Sequence, residues 1–226
     1  MPLSQPNEHQ EHAFLIGATH RNSQAAGEAE ALALRRDMVT LLTYARDTKV
    51  VGTASTGNMP LKAVGEVIAR FVEPLRLEHN VGKHVHRVRS EAEVWPLYFL
   101  HILAAVGGLL LAKPARRWRL GRSGEHFLNS APLSQVVFLL ATWWYEVNWL
   151  VTCPWEGIGE YLPGSFKRVT LARLRSLAVE ESIPFEGFAD ALVEETGLTW
   201  GSGNKENKYA ADLLRVSVSR MLVDVL

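Results

Sequence analysis

Leu109-Leu110-Leu111-Ala112-Lys113-Pro114-Ala115-Arg116-Arg117-Trp118-Arg119-Leu120 is the stretch that decides the fold. An uncharged apolar run, a turn containing proline and an alternation of large apolar with basic residues together predict an antiparallel hairpin. In a two-residue alternation Trp118 and Leu120 share one face, and Arg117 and Arg119 share the other. A lone hairpin is marginal in water. The Trp118 and Leu120 face is therefore expected to pack on the helix that precedes it, which turns the arginines outward.

Upstream, Met38, Leu41, Leu42 and Ala45 repeat at helical spacing from Asp37. That helix is expected to end near Asp47, and a short extended piece, Val50-Val51, follows. The cluster Ser55-Thr56-Gly57-Asn58 then leads into a helix whose apolar positions are Leu61, Val64, Val67, Ile68 and Phe71. Glu73 to Ser90 reads as an irregular, charged loop. A third helix runs from Glu91 to Val106 and is stopped by Gly107-Gly108. After the hairpin, Ser123 opens a short helix through Phe127-Leu128, and Pro132 opens a long aromatic one. Helix, short strand, helix, helix, hairpin is the order of a winged helix-turn-helix domain. The fold class expected is mainly α, with a small β-hairpin wing and a second helical unit behind it. Helices are predicted at about 37–47, 60–72, 92–106, 133–150, 166–179, 185–196 and 208–225.

The run Thr53-Ala54-Ser55-Thr56-Gly57-Asn58-Met59-Pro60-Leu61-Lys62, the hairpin after Gly108 and Ser123-Gly124-Glu125-His126-Phe127-Leu128 resemble uncharacterised bacterial winged-helix proteins and helicase-associated winged-helix domains. The resemblance covers residues 37–150 and implies a fold more than an activity. The chain departs from such domains through the insertion at Glu73 to Ser90.

Residues 1–30 are polar apart from Ala13-Phe14-Leu15-Ile16 and are expected to form a mobile tail. The winged-helix-like domain is expected over 31–150 and a second helical domain over 151–226. Three helices there match the start of another winged helix. The sequence stops at Leu222-Val223-Asp224-Val225-Leu226, where a wing strand would begin, so this second domain is expected to be truncated.

Lys plus Arg and Asp plus Glu both number 24, so any attraction for nucleic acid must come from a local patch. The single Cys153 excludes an internal disulfide and fits a reducing compartment, and Met1 to Arg21 lack the pattern of a signal peptide. A cytoplasmic protein is expected. Val94 to Ala112 and His126 to Tyr145 carry no formal charge, but proline, glycine and polar residues interrupt both, so they are read as core rather than as membrane spans. Trp95, Leu100, Leu103, Phe138 and Trp143 are assigned to that core.

Lys113, Arg116, Arg117, Arg119 and Arg122 form the candidate nucleic-acid-binding set, because no acidic residue interrupts them and guanidinium groups pair well with phosphates. The alternative is a solvated hairpin whose arginines pair with Glu91, Glu93 or Glu125. The third helix is apolar nearly all round, which excludes base readout through it and leaves double-stranded DNA gripped by its backbone, or another protein, as the partner. His79, His84 and His86, with Glu78, lie too close to Lys83, Arg87 and Arg89 to suggest a metal site. Trp143, Trp144, Trp149 and Trp155 are read as packing residues rather than a ligand cage. No phosphate loop, Gly-x-Ser-x-Gly or His-Glu-x-x-His occurs. A non-enzymatic protein with no cofactor, metal or small-molecule ligand is expected.

Overall fold

The computed structural model describes residues 23–81, 83–112, 116–149, 162–177, 183–200 and 209–222. Among these the protein is mainly helical, with two small antiparallel hairpins. It divides into two compact units, Met1–Val147 and Asn148–Leu226.

In the first unit, α1 (Ser23–Ala31) occupies part of the stretch expected to be a tail. It packs on α6 (Pro132–Ala141) and buries Ala29. Its small side chains carry almost no apolar stripe, which is why the sequence pattern gave no sign of it. Leu32 then takes an extended conformation, and α2 (Ala33–Asp47) buries Met38, Leu41, Leu42, Tyr44 and Ala45, the face predicted from their spacing. The expected strand at Val50-Val51 is a single antiparallel bridge from Val51 to Arg117.

Helix α3 (Leu61–Ile68) buries Val64, Val67 and Ile68. It stops short of the expected Val72 because the chain bends there: the Asp37 carboxylate accepts the Val72 N–H at 2.8 Å and the Leu75 N–H donates back to Ile68 O. Burial holds the Asp37 carboxyl above the usual carboxylate range despite that hydrogen bond.

The segment Glu73 to Ser90, expected to be an irregular loop, contains a hairpin. Strands β1 (Glu78–Val81) and β2 (His84–Arg87) pair with Glu78 opposite Arg87 and His79 opposite His86. Every residue of β2 is exposed. Beside its backbone bonds the ladder carries an Arg87–Glu78 ion pair at 2.9 Å, and β2 has no buried apolar residue to reveal it in the sequence.

A 3-10 turn at Glu91–Glu93 leads into α4 (Trp95–Val106). This helix buries Leu97, Phe99, Leu100, Leu103 and Ala104. Gly108, with φ at +65°, makes the left-handed turn that sends the chain into β3 (Leu110–Leu111), which pairs with β4 (Arg119–Leu120). Helix α5 (Arg122–Leu128) follows, lying so close to the start of the hairpin that a Cβ on Gly124 would stand 2.3 Å from Leu109 O. Gln135, buried on α6, accepts from Arg35 Nη1 at 2.7 Å and donates to Phe127 O at 2.7 Å, so one side chain joins α2, α5 and α6.

The expected aromatic helix to Leu150 instead changes character at Thr142. Thr142–Glu146 is a π turn, with the Val147 N–H bonded to Thr142 O at 3.1 Å, and Val147 is extended. The extra residue in that turn shifts the helical face, so that Trp143 is buried while Trp144 and Tyr145 remain half-buried. Of the expected core residues, Leu100, Leu103 and Trp143 are buried, whereas Trp95 and Phe138 are half-buried.

The second unit contains α7 (Phe166–Ser176), α8 (Phe185–Thr196) and α9 (Ala210–Leu222). Leu214, Ser217, Val218, Met221 and Leu222 form the buried stripe of α9. Arg215 ties α9 to α8 through a two-pronged pair with Asp190 at 2.6 and 2.9 Å. That guanidinium holds the Asp190 carboxyl below the usual range. Lys167 lies over the Trp149 ring at 4.7 Å, and burial pushes its amine down to about 8. Cys153 and Trp155 lie outside the described residues, as do 1–22 of the expected tail. Among the described residues no helix is long and apolar enough to cross a membrane.

Candidate nucleic-acid interface

The basic hairpin is built around Trp118. Its side chain is 3% exposed, its ring lies 4.3 Å from that of His101 on α4, and its indole N–H donates to Gly57 O at 3.1 Å. Its backbone N–H bonds to Val50 O at 2.9 Å, while the Gly52 N–H bonds to Arg116 O at 2.8 Å. The strand carrying the arginines is thus fixed to α4, to the 53–57 turn and to the Val51 segment at once.

Glu91 supports this anchor from below. It is fully buried, accepts the backbone N–H of Met59 and binds His101 Nδ1 at 2.7 Å. A carboxylate so placed satisfies two donors that would otherwise be buried without partners. The sequence reading had offered Glu91 as a surface partner for the arginines. Its place at the head of an apolar helix, ten residues before an inward-facing histidine, was the available signal.

The alternation predicted for the second strand is present. Arg117 and Arg119 are exposed, Trp118 is buried and Leu120 is half-buried. Arg116 and Arg122 are also exposed, so four of the five expected residues are open to solvent. Lys113 lies outside the described residues. None of the four arginine side chains forms an ion pair or a hydrogen bond with another described residue. Glu93 is engaged elsewhere: it accepts the Arg89 N–H at 3.1 Å and lies 3.8 Å from His86 Nε2.

Among the described residues, no group of three His, Cys, Asp or Glu could hold a metal ion. The exposed residues of α4 are Pro96, Ala105 and Val106, none of which carries a polar side chain with which to read bases.

The chain matches no family model, no curated protein and no solved structure.

Proposed function

We propose that the first unit is a winged-helix module of non-catalytic type that holds duplex nucleic acid by its phosphates, in the cytoplasm, without reading sequence. The observation that carries this reading is the set of exposed arginines, Arg116, Arg117 and Arg119 on the segment immobilised by Trp118 and Arg122 at the start of α5, which have no carboxylate partner among the described residues. A guanidinium without an internal ion pair has none to break on binding, and it matches a phosphate in two-pronged geometry. The order of elements, with Val51 bridging the second wing strand, supports the winged-helix assignment. The buried face of α4 favours backbone contact over base contact.

Anisotropy of a labelled duplex at two salt concentrations tests the reading. Four phosphate contacts predict that the logarithm of the affinity falls with that of salt at a slope of about −3.6, or roughly a hundredfold between 50 and 200 mM. Changing Arg116, Arg117 and Arg119 together to alanine should weaken binding to all duplexes alike and flatten the slope by about one for each contact. No binding at low salt, or a triple variant as tight as the parent, would sink the proposal and leave the wing as a protein-docking surface.

A further inference from the structure

We propose that the cleft between α5 and α6 binds a small phosphate monoester with an aromatic body, of the size of a nucleoside monophosphate. The cleft measures about 500 Å³, within the range of small-molecule sites. Its apolar part is made by Phe127 and Phe138, whose rings meet edge to face at 5.9 Å and 65°. Its polar part is made by Arg122, Ser123, His126 and Ser134, with no carboxylate in the lining.

The polar side chains are uncommitted. Ser130, which also lines the cleft, donates its hydroxyl to His126 O at 2.8 Å. The side chains of Arg122, Ser123, His126 and Ser134 form no hydrogen bond with any described residue. Ser134 stands in the first turn of α6, where Ala131 at the cap position supplies no side-chain acceptor. One guanidinium, two hydroxyls and an imidazole therefore line one cleft, and none of them brings a negative charge. An oxyanion with several acceptor atoms completes this set, and Arg122 supplies the charge-assisted bonds. Phe138, half-buried at the cleft wall and backed by the buried Phe127, offers the apolar surface that a flat aromatic group meets by stacking or by edge contact. The sequence implied no small-molecule ligand, because the two short helices that make the cleft carry no phosphate-loop spacing.

This inference stands apart from the wing reading except at Arg122, which both use. The monoester could be a free nucleotide or the 5′-terminal phosphate of a strand, and the chemistry recognised is the same. Calorimetric titration of the full chain with adenosine 5′-monophosphate should give binding at least tenfold tighter than with adenosine or inorganic phosphate. Ser134→Glu should abolish it at least tenfold by placing a negative charge in the cleft. That variant should still fold, since an acidic side chain in the first turn favours the helix, and its circular dichroism checks this. The Arg116, Arg117 and Arg119 triple variant should bind the nucleotide as the parent does, so loss of duplex binding in it cannot be confused with failure here. A duplex with 5′-phosphate ends that outbinds its 5′-hydroxyl twin, with the preference lost in Ser134→Glu, assigns the cleft to strand ends; equal binding of the two duplexes assigns it to the free nucleotide. Nucleotide binding no tighter than that of inorganic phosphate, or unchanged in Ser134→Glu, overturns the proposal.

Discussion

The two hairpins of the first unit carry similar charge and are held in opposite ways. In the pair Glu78–Val81 with His84–Arg87, β2 is exposed throughout, and Val85 is 58% exposed. Its cations are partly engaged, Arg87 with Glu78 and His86 with Glu93. The wing instead buries Trp118 and leaves its arginines without an ion pair among the described residues. A basic strand becomes available for an outside anion when an apolar neighbour, rather than a carboxylate, holds it in place. Lys83, Arg87 and Arg89 resemble the wing in composition alone.

The anchor should dominate stability. Trp118→Ala is expected to lower the free energy of unfolding by about 3–5 kcal/mol in urea titrations, whereas Val85→Ala should stay within about 0.5 kcal/mol. Equal costs would break the comparison. A smaller difference is expected between the carboxylates that serve each hairpin. Glu91→Gln should cost about 1–3 kcal/mol because it disturbs a buried acceptor of two donors, while Glu78→Gln removes an exposed pair and should cost about 0–1 kcal/mol. If Glu78 proved the more costly, the first hairpin would owe more to charge than its exposure implies. The smallest effects on stability belong to single arginines. Arg117→Ala and Arg87→Ala should each change it by no more than about 1 kcal/mol, yet only the former should reduce the salt slope of duplex binding, by about 0.9.

Lys167 offers a separate check on the second unit. Its amine is pushed down to about 8 by burial, so between that value and the ordinary lysine range the unfolded chain binds more protons than the folded one. Stability should therefore rise as pH increases through that window. The gain should stay below about 2 kcal/mol, because the half-exposed ammonium keeps part of its hydration. Comparing denaturation midpoints at pH 7.5 and 10 for the parent and Lys167→Met isolates this contribution, and identical pH responses would exclude it.

The wing and its neighbours were legible because their partners are apolar and periodic. Trp118 and Leu120 alternate with arginines, Met38, Leu41, Leu42 and Ala45 follow helical spacing, and α8 spans the residues 185–196 predicted for it. The hairpin at Glu78–Arg87 was not legible, since β2, exposed at every residue, leaves no hydrophobic alternation. Helix α1 escaped for a related reason: Ala29 is buried, but alanine and glycine around it give no contrast between faces. The π turn at Thr142–Glu146 depends on how Trp143 and Trp144 pack, which spacing alone does not encode. As for the sites, the exposed arginines could be read directly from the strand alternation. The cleft could not, because Ser123, His126 and Ser134 meet only when two helices fold over Phe127 and Phe138.

Arg116 adopts a left-handed backbone, with φ at +55°, a conformation that costs a side-chain-bearing residue about 1–2 kcal/mol relative to glycine. Selection for heat resistance alone would favour Arg116→Gly, which relaxes the turn and discards a cation. Selection for phosphate binding would keep the arginine and tolerate the strain. The two pressures meet at one codon, so the residues that survive at position 116 in a randomised library, grown under each pressure separately, would record which of them shaped this wing.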